Sequence, residues 1–324
     1  MKVAEFLGSK PNRLWRLAAQ MGIKYAVTGL GIPGKDSEKP WDYEPMLRMA
    51  QHYRDFGITP LVVESRPPVE KVKRGLPGRD EEVESVITLI RNMGRVGIPI
   101  YCYDFMSQFN WFRTSMDIPV RGGALATGYD HSVMANAPLT EAGIITEEQL
   151  WDGLKYMLTA IVPVAEECGV QLALHPDDPP ISPIRGVSRI LVNAEAMRRA
   201  IQLVPSANSG ITLCAGTMAT AGEDIPTMIR NFTADNKLFF VHFRDVIGTP
   251  EKFHETFHEC GQNDQPAIIR TYKECGYEGP IRSDHVPTMD GENNDNPGYE
   301  VLGRLYGIGY MKGLMHAAGF DLNA

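Results

Sequence analysis

Eight short runs rich in β-branched and other apolar residues alternate along the chain with longer amphipathic stretches. This alternation constrains the fold more than any other feature, because strands that alternate with helices pair in parallel. Eight repeats without a linker predict that the sheet closes into one α/β domain, a (β/α)8 (TIM) barrel spanning residues 1–324. The predicted strands are Lys2–Phe6, Lys24–Thr28, Pro60–Glu64, Pro99–Asp104, Gln171–His175, Gly210–Cys214, Leu238–His242 and Pro280–Asp284.

Helices are predicted where apolar residues recur every three or four positions. In Glu147–Cys168, for example, Leu150, Leu154, Leu158 and Ile161 follow this spacing. One long stretch after the fourth strand, 106–143, has no such pattern and is predicted to be an irregular loop, and loops of that length are usually functional. The other predicted helices include Tyr43–Phe56, Asp80–Val96, Ser188–Leu203 and Gly303–Ala317.

Charge and apolar content exclude some classes of partner. The formal net charge is −8 and no run of Lys or Arg exceeds two residues, which argues against nucleic acid as a main partner. No apolar run approaches the length of a membrane span, and the first ten residues lack the order of a signal peptide. The five cysteines are widely spaced and suit reduced thiols better than a disulfide framework. We therefore expect a cytoplasmic protein.

Four consecutive predicted strands end in a residue that can bind a metal. His175 ends the fifth, Cys214 the sixth, His242 the seventh and Asp284 the eighth. Active sites of such barrels lie at the carboxyl ends of the strands. Imidazole, thiolate and carboxylate are all donors to a divalent transition metal. The register predicts a metal site, while the residue types alone leave Zn²⁺, Fe²⁺ and Mn²⁺ open.

A glycine-rich segment, Gly29–Gly34, matches the spacing G-x-G-x-x-G. A dinucleotide site also requires a helix to begin there. Lys35–Pro40 continues as loop instead, and Asp36 stands where a phosphate loop has Ser or Thr. We interpret the segment as a tight turn and expect no nucleotide cofactor.

A second motif, His254–His258, matches the zinc-protease pattern H-E-x-x-H. Its segment between Pro250 and Gly261 is short for a zincin helix. We interpret it as a loop above the barrel, with His254 as a candidate for contact with the substrate.

Several motifs together resemble the mannonate dehydratase family of the UxuA type. The resemblance covers most of the chain, and its most specific element is the string His-Pro-Asp-Asp-Pro-Pro at 175–180. The remaining matches are Val63-Glu64-Ser65, Ile90–Gly94, Gly97-Ile98-Pro99, Cys102-Tyr103, Phe105-Met106, Trp111, Arg113-Thr114, Cys214, His242-Phe243-Arg244, Phe253-His254-Glu255, Asp284-His285 and Pro297-Gly298-Tyr299.

This resemblance implies a hydro-lyase that converts D-mannonate, or a related aldonate, into 2-keto-3-deoxy-D-gluconate or its analogue. It places the metal, Mn²⁺ or Fe²⁺, on the same four residues and assigns the proton transfers to His285 and Tyr299. Trp111 is expected at the substrate. Arg113 and Arg244 either bind the substrate carboxylate, which guanidinium fits, or form structural salt bridges. A small sugar acid and a homo-oligomer are the expected partners.

The chain departs from the family pattern near the predicted substrate loop. The family usually reads Cys-Tyr-Asn-Phe-Met-Pro and Asp-Trp-Thr-Arg-Thr, where this chain has Asp104, Ser107, Asn110 and Phe112 at the differing positions. A charged Asp104 would repel an anionic substrate unless an arginine such as Arg113 neutralises it. We therefore expect lower activity on D-mannonate than in a dedicated enzyme, and a different preferred sugar acid.

Two other functions are compatible with such a barrel. A metal-dependent sugar isomerase or epimerase would also move a C–H proton, but those barrels usually bind metal through carboxylates and His, so Cys214 argues against it. A barrel that only binds a sugar acid would not need proton-transfer residues such as His285 and Tyr299.

Overall fold

Strands and helices alternate through the computed structural model, which describes residues 1–322. The strands are β1 (Lys2–Phe6), β2 (Tyr25–Thr28), β3 (Thr59–Glu64), β4 (Ile100–Tyr103), β5 (Ser115–Pro119), β6 (Leu125–Asp130), β7 (Gln171–Leu174), β8 (Ser209–Cys214), β9 (Leu238–Phe243), β10 (Val246–Thr249), β11 (Lys252–Glu255) and β12 (Pro280–Ser283). The α-helices are α1 (Arg13–Gln20), α2 (Tyr43–Asp55), α3 (Glu70–Arg74), α4 (Arg79–Val96), α5 (Glu147–Cys168), α6 (Ala194–Gln202), α7 (Ala215–Thr220), α8 (Ile225–Ala234), α9 (Gln265–Glu274) and α10 (Val301–Ala317).

Eight of these strands close into a parallel barrel in the order β1-β12-β9-β8-β7-β4-β3-β2. They are the eight strands predicted from the sequence, and the predicted (β/α)8 fold is confirmed. A small apolar cluster made only of strand residues, among them Ala4, Val62, Ala173 and Phe240, fills the interior of the barrel. A larger cluster joins the outside of the barrel to the helices. Both faces of the strands are thus buried, as expected for a parallel sheet.

Local signals set the ends of the long helix α5. Thr146 accepts a hydrogen bond from the Gln149 backbone N–H, and the Gln149 side chain bonds back to the Thr146 backbone. This reciprocal pair satisfies two of the free N–H groups of the first turn. The helix ends at Gly169, whose φ of 66° lies in the left-handed region that glycine tolerates. The predicted bounds of this helix are therefore correct.

The helix predicted over Ser188–Leu203 begins later, at Ala194, with Asn193 as its N-cap. The preceding residues are held by a buried carboxylate instead. Asp177 Oδ2 accepts the backbone N–H groups of Ile190 and Leu191 at 2.8 and 3.0 Å. These bonds replace those of a first helical turn, so the prediction was wrong at this end.

The predicted irregular loop 106–143 contains two strands, β5 and β6, and that part of the prediction was wrong. They join β10 and β11, from the loop after β9, in an antiparallel sheet of order β10-β11-β6-β5. Both loops leave the barrel at the carboxyl ends of their strands, so the small sheet lies over that mouth. The pairs β5–β6 and β10–β11 are local, but β6 and β11, which join them into one sheet, are distant in sequence.

Membrane insertion finds no support in the helices. None within residues 1–322 is long and apolar enough to cross a bilayer. All five cysteines are free thiols.

Candidate active site

The four residues predicted to bind metal meet at the carboxyl mouth of the barrel. His175 directly follows β7, Cys214 ends β8, His242 lies in β9 and Asp284 directly follows β12. These strands are consecutive neighbours in the order β12-β9-β8-β7. Because parallel strands end at one edge, the four side chains share one side of the mouth.

Their donor atoms converge. His175 Nε2 lies 3.2 Å from His242 Nδ1, His242 Nδ1 lies 3.5 Å from Asp284 Oδ2, and Cys214 Sγ lies 3.9 Å from the same oxygen. Ligand atoms of His175, Cys214 and His242 all lie within 4.8 Å of one another. Atoms bound to one cation at 2.0–2.3 Å are separated by roughly these distances. The cluster is a candidate metal centre.

The ring nitrogens that lie away from the other donors, His175 Nδ1 and His242 Nε2, show how the two imidazoles are oriented. His175 Nδ1 lies 2.7 Å from the Pro176 carbonyl oxygen, which only accepts, so Nδ1 carries the proton. His242 Nε2 has no well-aligned hydrogen bond but lies 3.3 Å from Glu64 Oε1. Carboxylate and carbonyl acceptors behind the ring are typical of metal-binding histidines. The two nitrogens that face each other, His175 Nε2 and His242 Nδ1, are therefore the ring atoms available to a metal ion.

Glu64 is suited to this supporting role. Burial raises its pKa, but Arg282 and His242 outweigh burial and bring the pKa down to about 2. Arg282 donates to both carboxylate oxygens, at 2.9 and 2.7 Å. The carboxylate is therefore ionised and fixed opposite His242.

The thiol of Cys214 lies in surroundings that favour the thiolate. Burial alone raises its pKa, but Arg244 and the hydrogen bond from His175 lower the pKa well below its usual value. Arg244 Nε and Thr217 Oγ1 each donate to Sγ at 3.2 Å. A thiolate is the form of cysteine that binds metal.

A histidine and a tyrosine lie beside the metal cluster. The Tyr299 hydroxyl is 2.8 Å from His285 Nε2 and 3.4 Å from Asp284 Oδ1. Gly298, with a φ of 84°, lets the loop turn back against β12, where its carbonyl accepts the Val286 N–H. Burial and Asp284 raise the Tyr299 pKa well above its usual value, so the hydroxyl keeps its proton.

The other ring nitrogen of His285, Nδ1, lies near both a hydrogen-bond acceptor and a hydrogen-bond donor. Glu255 Oε1 lies 2.8 Å from Nδ1, and the Trp111 indole N–H lies 3.1 Å from it. The carboxylate only accepts and the indole only donates. Burial raises the Glu255 pKa, but Arg244 and His285 outweigh it and lower the pKa to about 2. The ionised Glu255 therefore accepts a hydrogen bond from Nδ1–H of His285. This leaves Nε2 as an acceptor for the Tyr299 hydroxyl.

Glu255 belongs to a buried ionic network that sequence reasoning missed. Arg113 Nη1 pairs with Asp178 Oδ1 and Nη2 with Glu255 Oε1, both at 2.6 Å. Arg244 contacts Asp178 and Glu255 at 2.6 and 3.0 Å. Neither arginine side chain is exposed to solvent. Of the two roles considered for Arg113 and Arg244, the structure shows salt bridges, and the signal for their partners was present in the motifs at 175–180 and 254–258.

A cavity of about 240 Å³ opens above the metal cluster. Trp111, His285 and Tyr299 line it, whereas Arg113, Arg244 and His254 are not among the residues that do. A wider cavity of about 840 Å³ adjoins it through Glu64, Arg282 and Tyr299. The two volumes together leave room for a small polar substrate.

The departures from the family pattern fall into two groups. Asp104 and Asn110 line the cavity, and both accept from Arg66, at 2.9 and 2.7 Å. Arg66, rather than Arg113, neutralises Asp104, which corrects the expectation from sequence. Ser107 bonds to Glu70, and Phe112 packs on aromatic rings with centroids 5.1 and 6.1 Å away, without lining the cavity.

The two other motifs have structural roles. Gly31 packs against the backbone of Pro45, and the next helix after the glycine-rich segment begins only at Tyr43, so the segment is a loop and not the start of a helix. In the H-E-x-x-H segment, His254 lies in β11 and not on a helix. The His258 ring is buried and bonds to Ser283 Oγ at 2.8 Å, so the two histidines do not form a zinc-protease pair.

Burial of His258 predicts a pH effect on stability. Burial lowers its pKa from 6.5 to about 4, although Asp284 opposes this. Between these values the unfolded chain binds a proton that the folded chain does not, so stability present above pH 6.5 is lost as the pH falls toward 4. We expect wild-type protein to lose about 3 kcal/mol more than His258→Asn protein over this range.

Urea unfolding of metal-free protein at pH 7 and pH 4.5 measures this difference, with His316→Asn as the control because that histidine is exposed. Equal losses in wild-type and His258→Asn protein would contradict the neutral, buried state of His258.

Comparison with known proteins agrees with the geometry. The family model described as D-mannonate dehydratase (UxuA) matches residues 16–144 and 139–320. Mannonate dehydratase 2 of Halalkalibacterium halodurans is 33% identical over 93% of both chains, and mannonate dehydratase of Thermotoga neapolitana is 35% identical over 86% of both.

Solved structures give the same grouping. The mannonate dehydratase from Streptococcus suis serotype 2 aligns with a TM-score of 0.90 at 32% identity, covering 98% of this chain and 95% of the other. D-psicose 3-epimerase from Clostridium cellulolyticum covers 100% of both chains with a TM-score of 0.61 at 14% identity, which shows a shared barrel and no more.

Proposed function

As a member of the D-mannonate dehydratase (UxuA) family, this chain is a sugar-acid hydro-lyase, and we propose that it works with one divalent metal ion, Mn²⁺ or Fe²⁺. His175, Cys214, His242 and Asp284 would hold the ion. One observation carries the proposal: two imidazole nitrogens lie 3.2 Å apart, and His242 Nδ1 and Cys214 Sγ lie 3.5 and 3.9 Å from one carboxylate oxygen of Asp284. Imidazole, thiolate and carboxylate groups that converge in this way are donors suited to one divalent transition metal ion.

The reaction removes a proton from C2 of the sugar acid and hydroxide from C3. A bound divalent ion supplies stabilisation for the negative charge that develops at the carboxylate as C2 loses its proton. The remaining tasks are proton transfers. We assign the base to His285, because Nδ1–H donates to Glu255 and Nε2 is left as the acceptor.

Tyr299 is the corresponding acid. Its hydroxyl stays protonated and lies 2.8 Å from His285 Nε2, so the two groups can act on the adjacent carbons C2 and C3 of one substrate. It donates a proton to the hydroxyl that leaves C3. Glu255 orients His285 without touching the substrate, as the carboxylate partner does in other histidine bases.

The substrate is a small sugar acid, D-mannonate or a related aldonate or aldarate, that occupies the cavity beside Trp111. Arg113 and Arg244 hold Asp178 and Glu255 in place, and His254 remains a weaker candidate for contact through the wider opening. Homo-oligomerisation and a cytoplasmic location remain predictions from the sequence.

The proposed activity is tested with protein reconstituted with Mn²⁺ or Fe²⁺ and offered a panel of hexonates, pentonates and hexarates. We expect one keto acid per molecule consumed, and kcat/KM on D-mannonate below the roughly 10⁴ M⁻¹ s⁻¹ of a dedicated enzyme. Absence of keto acid from every member of the panel would contradict the function. A D-mannonate value above that level, and the best in the panel, would contradict the expected change of substrate.

A further inference from the structure

Arg66 and Arg282 line the cavity, Arg113 and Arg244 bind Asp178 in its wall, and of these four arginines Arg66 is only partly paired. Arg282 Nε and Nη2 bond to Glu64 and its Nη1 to Asp284, while both Nη atoms of Arg113 and Arg244 are paired with carboxylates. Arg66 donates from Nε and Nη2, and no hydrogen bond from its Nη1 occurs within the described part of the chain. Its side chain lines the cavity and is 18% exposed.

The Arg66 guanidinium is held in a fixed orientation. Nε and Nη2 bond to the two oxygens of Asp104 at 2.9 and 3.1 Å, and Nη2 also donates to Asn110 at 2.7 Å. Arg66 follows the end of β3 by two residues, and Asp104 directly follows the neighbouring β4. Two-point pairing of guanidinium with carboxylate fixes the plane of the group. The guanidinium that lines the cavity is therefore ordered before a substrate binds, and its Nη1 can donate without the entropy cost of fixing a mobile side chain.

Arg66 and a second cation share the Asp104 carboxylate. Lys73 Nζ, which is buried, lies 3.7 Å from Asp104, so one carboxylate is shared between two cations. Burial raises the Asp104 pKa, but Lys73 and Arg66 outweigh it and lower the pKa below its usual value. Glu70 also interacts with Arg66 and Lys73, and its carboxylate accepts hydrogen bonds from Ser107 and Gln108. With Glu70 counted, the local charges balance, so Arg66 offers a substrate a free N–H donor of a cationic group rather than an excess of positive charge.

The strand order of the barrel places Arg66 across the mouth from the four candidate metal ligands. In the order β1-β12-β9-β8-β7-β4-β3-β2, strand β3 is four places from β9 in either direction. His242 of the metal cluster lies in β9, and Arg66 lies beyond the end of β3. A chain-like substrate that extends across the mouth from the proposed metal ion would bring its other end toward Arg66.

We propose that Arg66 binds a second acidic group at the end of the substrate remote from the metal, so that the preferred substrates are aldarates, sugar acids with a carboxylate at both ends. This inference rests on the proposed dehydration of sugar acids. Asp104 and Asn110 are positioning residues for Arg66. A neutral hydroxymethyl end, as in D-mannonate, would leave the free Nη1 donor of Arg66 without an anionic partner.

Two substrates that differ only at C6 isolate the contribution of Arg66 to recognition of the remote carboxylate. D-mannarate differs from D-mannonate only in having a carboxylate at C6, so the reacting carbons are the same. We expect wild-type protein to favour D-mannarate in kcat/KM, and Arg66→Met to reduce that preference by roughly 10- to 100-fold, the value of a charge-assisted hydrogen bond. Arg66→Lys should keep part of it. Arg91→Met is the control, since that arginine is exposed on α4.

Arg66→Met leaves Asp104 with one cation fewer, so the double variant Arg66→Met/Asp104→Asn is measured as well; it should show the same loss of preference. An unchanged D-mannarate to D-mannonate ratio in both variants would overturn the proposal, as would an equal loss on both substrates. Calorimetric titration of Mn²⁺-loaded protein with each acid gives the same ratio without turnover. A protein that shows Arg66-dependent binding but forms no keto acid would contradict the proposed reaction and support this site.

Discussion

Protein carrying Cys214→Ala is expected to lose its metal and, with it, its turnover. Cys214 is the only thiolate among the four converging donors, and it ends the strand between those of His175 and His242. Ala supplies no donor atom, and each protein ligand removed weakens a transition-metal site strongly. We expect the metal content to fall from about one ion per chain to a small fraction, measured by elemental analysis after dialysis against a weak chelator.

The control for this experiment is Cys275→Ala, which removes a thiol at the end of α9, away from the cluster. It should keep the wild-type metal content. Circular dichroism and the unfolding midpoint show whether Cys214→Ala is still folded. A folded Cys214→Ala protein with undiminished metal would show that the site has been assigned to the wrong residues.

Replacing either proton-transfer residue should abolish most of the turnover while leaving the metal in place. His285→Asn removes the acceptor Nε2, and Tyr299→Phe removes the hydroxyl 2.8 Å from it. Neither residue is one of the four proposed ligands. General acid and base groups contribute roughly 10²–10⁴-fold, and we expect a loss in kcat of that size in each variant.

Two exposed residues of α10 provide matched controls, His316→Asn and Tyr306→Phe, which change the same side-chain types away from the cavity. Exchange of the substrate C2 proton with solvent deuterium distinguishes the two roles. It should be lost in His285→Asn and retained in part in Tyr299→Phe. Wild-type kcat in both variants on the best substrate of the panel would refute the assignment.

The convergence of the four candidate metal ligands could be predicted from the sequence because each part of the pattern is local. An apolar run long enough for a strand, followed by His175 or Asp284, can be recognised without knowing its neighbours in space. The rule that parallel strands end at one face then brings the four residues together. The spacing of apolar residues, which is also a local pattern, predicted α5. In the structure the cap at Thr146 and the glycine at 169 mark its two ends.

Errors arose where a distant group competes with the local pattern. The residues before α6 have helical periodicity, but Asp177, more than ten positions away, accepts their N–H groups. The loop after β4 has no strong pattern of its own, and β6 is ordered by pairing with β11, where Phe253 lies opposite Tyr129. In both cases the deciding hydrogen bond is between residues that only the folded chain brings together.

The sequence by itself determined the barrel, the mouth at which the four candidate ligands converge and the donor types of the proposed metal site, because periodicity, strand length and residue type are properties of short segments. Only the tertiary structure decided which charges meet. Glu255 reaches Arg113 across 142 positions, and Arg66 reaches Asp104 across 38. Ion pairing depends on distances of a few ångströms and on exclusion of water, and both are set by packing of the whole chain. For that reason Arg113 is paired within the protein, although the sequence left open whether it binds the substrate or forms a salt bridge. Arg66 lines the cavity and keeps its Nη1 group free.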